Sequence, residues 1–478
     1  MRYHIWTVGC QMNVADSQKL AAGLDRLGWA EVGEPGEADL VVLNTCAIRD
    51  HAEQRAMSKL GALKKLRRRG GQFSIAVMGC MVGPKNDELE RRFPYVDVWA
   101  RPQQFEPILA AVGYDDLGGE FWPATFAVRL GRMTAYVPII HGCDKFCTYC
   151  IVPYRRGRER SRTIEDVRDE IEHLAARGAR EVTLLGQTVE AYGHDLPDTP
   201  DLGDLLRALH DIEGIERLRF LTSYPKDMTE RIIDAVAELP KVCEHFKIPV
   251  QSGDNAVLER MRRGYTIEEY LEKVALIRRK VPDVAITTDV IVGFCGETEE
   301  EFQHTYDLLA GLEFEKVHVA AYSPRPGTIA YRKLADDVPQ EVKAARLRAI
   351  EQLEAGVSAR INGRLLGAEV EVLVEGRKAR PEPARPEQGR RVEGPGPVGH
   401  LEWSGVEAGG GEPEGSVRSS PPAGVHPESG VSWYGRTRQN RLVHFSGDAQ
   451  PGELVTVRIE RAGPWALVGA AVQQVAVR

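Results

Sequence analysis

Cysteine is scarce in this chain, with eight residues in 478. That is too few to staple a protein of this length, so the fold must rest on a buried apolar core, and the thiols are left for other work. Long apolar runs are missing too. No stretch of about 18 uninterrupted apolar residues occurs, which argues against a membrane-crossing helix. The opening MRYHIWTVGC has no basic leader with an apolar stretch and no small-residue cleavage site, so a cytoplasmic protein is expected. Positive charge is not in surplus: 62 Lys and Arg face 70 Asp and Glu, a net charge of −8. Such a balance excludes indiscriminate coating of nucleic acid but leaves room for a local basic face. Hydrophobic residues make up 42%, enough for a substantial core divided among about three domains.

The few cysteines are not scattered. Cys143, Cys147 and Cys150 lie within eight residues in GCDKFCTYCIVPYRRGRERSR, directly after the strand-like YVPIIHG. Thiolate is the protein's ligand for iron-sulfur clusters, and three of them on a four-iron cubane leave one iron open to a small molecule. The alternative is zinc, but zinc sites usually pair C-x2-C with a distant second pair, and the chain has none.

The chain also has a βαβ rhythm. YHIWTV, LVVLN and FSIAVM are short apolar runs separated by helix-spaced segments, and each is followed within about two residues by a cysteine: Cys10, Cys46 and Cys80. A parallel sheet would gather all three at its carboxyl edge, where open α/β sheets bind ligands. They are either a second cluster site or three unrelated buried thiols. From about 134 to 360 six more strand-like runs alternate with helices such as TIEDVRDEIEHLAARG and TIEEYLEKVALIRRK, predicting a parallel, barrel-like sheet. Its reactive rim would include Cys143, Gly186, Gln187, Gln251, Ser252, Gly293 and Thr298. A β-rich tail follows, split by residues 377–432, where Gly and Pro fill 20 of 56 positions. That composition, with few large apolar groups, predicts a disordered insertion dispensable for catalysis.

The spacing C-x3-C-x2-C after a first strand resembles the radical S-adenosylmethionine (SAM) enzymes. Taken with GCQMNVADSQ, MGC, LLGQTVEAYG, TSYPKDM, PVQSGDNAVLERMRRGY, TDVIVGFCGET, YSPRPGT and YGRTRQNRLVHF, the chain resembles the MiaB-type tRNA methylthiotransferases over nearly its whole length outside the insertion. The resemblance implies an α/β protein: an N-terminal parallel-sheet methylthiotransferase domain (1–118), a radical SAM partial (β/α)6 barrel (129–360) and a TRAM RNA-binding β-barrel (361–478), interrupted at about 377–432. It assigns one [4Fe-4S] cluster to Cys143, Cys147 and Cys150 and an auxiliary one to Cys10, Cys46 and Cys80. It also points to Tyr149, Gly186 and Gln187 as SAM contacts.

The implied reaction puts a methylthio group on C2 of an adenosine that already carries N6-dimethylallyl, at position 37 beside the tRNA anticodon. That C–H is neither acidic nor a leaving group, so side-chain acid-base chemistry offers no route and a cofactor radical is needed. Implied partners are the tRNA anticodon stem-loop, an electron donor such as flavodoxin or ferredoxin, and sulfur and iron-sulfur delivery proteins; no membrane is implied, and a monomer is expected. Arg155, Arg156, Arg158, Arg160 and Arg162, and in the tail Arg436, Arg438 and Arg441, could grip phosphates. Two positions invite comment. Cys295 replaces the usual proline of GFPGET, and Cys243 stands alone; both are expected to be small buried apolar residues. Sister enzymes acting on threonylcarbamoyladenosine or on a ribosomal-protein aspartate share the architecture, but GCQMN resembles the dimethylallyl type. A non-catalytic iron-sulfur RNA binder is the reading from another class, and the complete cysteine group argues against it.

Overall fold

The computed structural model describes residues 1–47, 50–114, 133–221, 223–378 and 432–472. Its N-terminal part is a five-stranded parallel sheet of β1 (Arg2–Thr7), β2 (Ala30–Glu31), β3 (Leu40–Thr45), β4 (Ser74–Gly79) and β5 (Val98–Ala100), in the order β2-β1-β3-β4-β5. Burial on both faces explains the unbroken apolar run of β3. Val41 and Leu43 pack with Ala56, Leu60 and Leu63 of helix Asp50–Arg68, while Leu40 and Val42 pack with Leu20 and Leu24 of helix Gln11–Arg26. In this order the chain switches direction between β1 and β3, and an open sheet binds ligands at that point.

Six further parallel strands follow in sequence order: β6 (Thr134–Pro138), β9 (Glu181–Leu185), β10 (Arg217–Leu221), β11 (His245–Lys247), β12 (Ala285–Val292) and β13 (Lys316–Ala321). Between β6 and β9 lies a small antiparallel ribbon, β7 (Ile140–His141) with β8 (Arg160–Ser161). The six form two three-stranded sheets, joined by a single bridge between Leu218 and Val242, as expected of a barrel that stays partial. Four of the helices between them begin where threonine caps them: Thr163, Thr229, Thr266 and Thr298 each accept a backbone N–H of the first turn. A last helix, Gln340–Gly363, packs along β13 and leads out of the barrel.

The tail closes into a five-stranded barrel of β14 (Glu369–Lys378), β15 (Ser432–Arg436), β16 (Leu442–Ser446), β17 (Leu454–Ala462) and β18 (Leu467–Ala471), around Val372, Val374, Trp433, Val443, Phe445, Val457, Ile459 and Leu467. The expected insertion lies outside the described residues except at its ends, and these ends are strand: Arg377 pairs with Trp433 and Lys378 with Ser432. The two strands therefore form a hairpin whose connection is 379–431. Replacing 379–431 with Asn-Gly, the sequence suited to a two-residue hairpin, should leave the melting temperature and the catalytic activity close to those of the full chain. Unfolding or loss of turnover would show that the segment is needed.

Candidate metal centres

The N-terminal trio sits where the topology places it. Cys10 follows β1, Cys46 follows β3 and Cys80 follows β4, so all three leave the carboxyl ends of neighbouring parallel strands. Two buried asparagines fix the first two. Asn13 Oδ1 accepts from Cys10 N at 3.2 Å, and Asn13 Nδ2 donates to Asn44 Oδ1 at 2.8 Å and Thr45 O at 3.1 Å. Asn44 Nδ2 returns a bond to Asn13 O at 2.8 Å and another to Ser17 Oγ at 2.9 Å. The asparagine of GCQMN thus ties the Cys10 loop to the strand ahead of Cys46. Cys80 is set by Gly79, whose φ of +97° suits glycine and whose missing Cβ would lie 2.4 Å from Thr45 O. With no side chain there, Cys80 N can donate to Thr45 O at 2.8 Å. Burial pushes the Cys80 thiol up, against the pull of the Arg156 charge.

The barrel trio lies on the loop between β7 and β8. Gly142 enters it at φ +74°, and a Cβ there would stand 2.0 Å from Arg158 O, so a glycine again precedes a cysteine for the same steric reason as in the N-terminal sheet. Cys143 N donates to Gly157 O at 3.1 Å, closing the loop. Thr148 sews it to the opposite half of the barrel: its N donates to Met261 O at 3.0 Å and its Oγ1 to Arg260 O at 2.8 Å. Burial raises the Cys143 thiol to about 11 and pushes Cys150 up as well, with the neighbouring Cys147 adding to the effect at Cys150. Thiols held this way keep their protons until a metal cation displaces them.

Arg263, within ERMRRGY, is the barrel group that residue-by-residue reading left unassigned. It is buried, and its Nη1 donates to Cys147 Sγ at 3.4 Å and Tyr149 Oη at 3.3 Å, while Nη2 donates to Pro249 O at 3.2 Å and Nε to Tyr265 Oη at 3.0 Å. Its guanidinium also stacks over Tyr224, 4.7 Å from the ring centre. Nothing local in the sequence could have shown that a residue 116 positions away reaches Cys147. Glu190, in LLGQTVEAYG, is a second buried group: Tyr224 N donates to its Oε2 at 3.0 Å, and burial raises its carboxyl to about 8.

The remaining expected residues fall as follows. Tyr149 packs edge-on against Phe294, centroids 6.4 Å apart, with its hydroxyl turned to Arg263. Gly186 closes β9 tightly against Ile140 of β7, and Gln187 follows at the rim, partly exposed. Gln251, also on the rim, is 8% exposed and holds a left-handed φ of +70°. Such strain in a buried polar residue is characteristic of functional sites. Cys295 is buried among Val257, Met261, Phe294, Tyr322 and Ala330, and Cys243 is buried ahead of β11, so each is the small apolar residue expected. Among the described residues no three His, Cys, Asp or Glu side chains surround a point as ligands of one metal ion would, whereas thiolates on a cubane bind separate irons.

Neither arginine run is the free phosphate grip it resembles. In the first, Arg162 pairs with Asp166 and Glu170, both at 2.5 Å, and Arg156 is fully buried against Asp16; only Arg158 and Arg160 are exposed. In the tail, Arg438 pairs with Glu244 of the six-stranded barrel at 2.6 Å, Arg436 with Glu375 at 3.4 Å and Arg441 with Glu315 at 3.7 Å. Carboxylates, near in sequence for Arg162 and distant for Arg156 and the tail, claim these charges.

One short helix links the loop of the barrel trio to the N-terminal domain. Val152–Arg156 starts two residues after Cys150 and delivers Arg156 into the N-terminal domain, where Nη2 donates to Asp16 Oδ2 at 3.2 Å. Arg101 Nη2 donates to Arg155 O at 3.3 Å, and Lys19 pairs with Glu170 at 3.4 Å across the same interface.

Comparison with known proteins adds to this geometry. The radical SAM superfamily model matches residues 137–309, and the model described as uncharacterized protein family UPF0004 matches residues 2–101. A tRNA-2-methylthio-N(6)-dimethylallyladenosine synthase of Roseiflexus sp. (strain RS-1) is 42% identical over 475 residues, 98% of this chain and 89% of the relative. The enzyme of the same name from Dehalococcoides mccartyi (strain CBDB1) is 45% identical over 375 residues, 78% of this chain and 87% of the relative. Among solved structures, the radical S-adenosylmethionine methyltransferase TsrM of Kitasatospora setae, with cobalamin and a [4Fe-4S] cluster bound, superposes with a TM-score of 0.52 at 16% identity, over 69% of this chain and 77% of that one. That likeness concerns the fold.

Proposed function

The chain belongs to the tRNA-2-methylthio-N(6)-dimethylallyladenosine synthase family of radical SAM enzymes, and from that premise we propose that Cys143, Cys147 and Cys150 hold the [4Fe-4S] cluster that binds SAM while Cys10, Cys46 and Cys80 hold a second. The reaction is methylthiolation of C2 of N6-dimethylallyladenosine in tRNA, with SAM and [4Fe-4S] clusters as cofactors. The residues fit such groups: six thiols in two trios at strand ends, each beside a buried guanidinium. When bound, the first cluster and SAM supply a carbon-centred radical able to attack an unactivated C–H, and the second cluster supplies a place for sulfur.

The chain's own residues do the rest. Cys143 and Cys147, at 8% and 6% exposure, keep the reducible site from bulk water. Arg263 holds Cys147 and Tyr149 in one network, and burial disfavours charge on Glu190, which accepts from Tyr224 N. Tyr149, Gly186 and Gln187 are the candidate SAM contacts, and the C-terminal barrel, 361–478, is the candidate RNA-binding domain beside the 1–118 and 129–360 units. Arg158 is already paired with Asp144 at 2.9 Å, and the exposed Arg160 is the candidate phosphate contact at the cluster loop. A reductant is required, and a flavodoxin or ferredoxin would serve, with separate proteins delivering sulfur and clusters. Among the described residues no helix is long and apolar enough to cross a membrane, and we propose a cytoplasmic monomer.

The observation that carries this reading is the C-x3-C-x2-C loop together with a second, strand-end thiol trio in a chain 42% identical to a synthase over 98% of its length. Nucleoside analysis of tRNA from a strain lacking the gene should show N6-dimethylallyladenosine accumulating and its 2-methylthio form gone. An unchanged profile would overturn the assignment.

A further inference from the structure

Arg156 has no role in the scheme above, yet its placement is unusual. It comes from the loop that carries the barrel trio, but its guanidinium lies inside the N-terminal domain with no solvent-exposed side-chain surface. One of its nitrogens is used, by Asp16 at 3.2 Å. Nε and Nη1 are buried with no oxygen or nitrogen partner, and the Cys80 sulfur is the side chain that engages this guanidinium besides Asp16. An arginine that loses water and leaves two donors without such a partner is costly unless negative charge stands in front of them. Burial works against its charge, and the neighbours that favour it are the Cys80 sulfur, Asp16 and Cys10. A cubane held by thiolates is anionic, so the site becomes more negative once loaded, and a fixed buried cation beside it favours the reduced, more negative state.

We propose that Arg156 is a positioning residue for the N-terminal cluster: these two N–H groups face the Cys80 and Cys10 thiolates, and its fixed charge raises the reduction potential of whatever cluster they hold. The proposal rests on the ligand assignment made above. It also gives the contact between domains a purpose, because the residue that sets one centre is delivered by the loop that binds the other, so docking of the two domains is required for the second centre to reach its working potential.

The test uses the full chain with Cys143, Cys147 and Cys150 changed to Ala, so that one cluster remains, and follows its EPR signal in a redox titration beside iron and sulfide analysis. Arg156→Gln should disfavour reduction at least tenfold, a fall of about 59 mV for one electron. Arg156→Lys, which keeps the charge, should recover most of that shift, and Asp16→Asn, which removes a competing negative charge, should move the potential the other way. Where Arg156→Gln does not load, the Asp16→Asn shift decides. A loaded Arg156→Gln or Asp16→Asn cluster with an unmoved potential would overturn the role of Arg156 and leave the ligands standing. No cluster in the parent would remove the ligand assignment, and this proposal with it.

Discussion

Changing Cys147 to Ala should cut bound iron from about eight to about four atoms per chain and abolish formation of 5'-deoxyadenosine from SAM under reduction. The size of the effect follows from the site. Cys147 is buried at 6% exposure, is the middle cysteine of its loop, and its sulfur accepts a hydrogen bond from Arg263 at 3.4 Å. Two thiolates cannot hold a cubane and still leave one defined iron open, so the loss should be complete rather than graded. Cys46→Ala should give the opposite pattern: about four irons remain, 5'-deoxyadenosine still forms, and no methylthio group reaches tRNA. Iron and acid-labile sulfide assays with chromatography of the SAM products would read both. Eight irons retained in Cys147→Ala, or 5'-deoxyadenosine lost in Cys46→Ala, would sink the division of labour between the trios.

Much of this site was legible because its chemistry is local. The six cysteines stand at strand ends that short apolar runs announce, and glycine precedes Cys10, Cys80 and Cys143 where the chain must turn in little space. The six barrel strands and their threonine-capped helices were readable for the same reason: burial on both faces writes itself as a continuous apolar run, and a cap needs one residue. What could not be read was every group that acts across the fold. Asn13 meets Asn44 over 31 positions, Arg156 meets Asp16 over 140, and Arg438 meets Glu244 over 194. A run of arginines announces charge without naming its partner, which is why YGRTRQNR looked like a phosphate grip and proved to be a clasp.

That clasp supports the second large effect. Arg217 and Arg219 project from the same face of β10 near its start, while the cysteine loop and Gly186 lie at the opposite, carboxyl ends of the strands. Arg217 Nη1 donates to Arg436 O at 2.7 Å; Arg219 donates to Arg438 O at 2.5 Å and Thr437 O at 2.7 Å, and pairs with Glu181 at 3.0 Å. Arg219 and Glu181 are 4% and 5% exposed. Arg219→Met would strand a buried carboxylate and two carbonyls, and breaking a buried pair from one side costs about 3–5 kcal/mol. Glu181 bears its share of that cost inside the six-stranded barrel, at the amino ends of the strands, and the share carried by Thr437 O and Arg438 O should appear as release of the C-terminal barrel. The expected result is faster limited proteolysis at the junction after Gly363, weaker tRNA binding and a matching fall in methylthiolation, with tRNA-independent cleavage of SAM within about twofold of the parent, since the rim sits at the far end of the same strands. If SAM cleavage fell as far as methylthiolation, the two ends of the barrel would be coupled and the clasp would not be a separable RNA-positioning device.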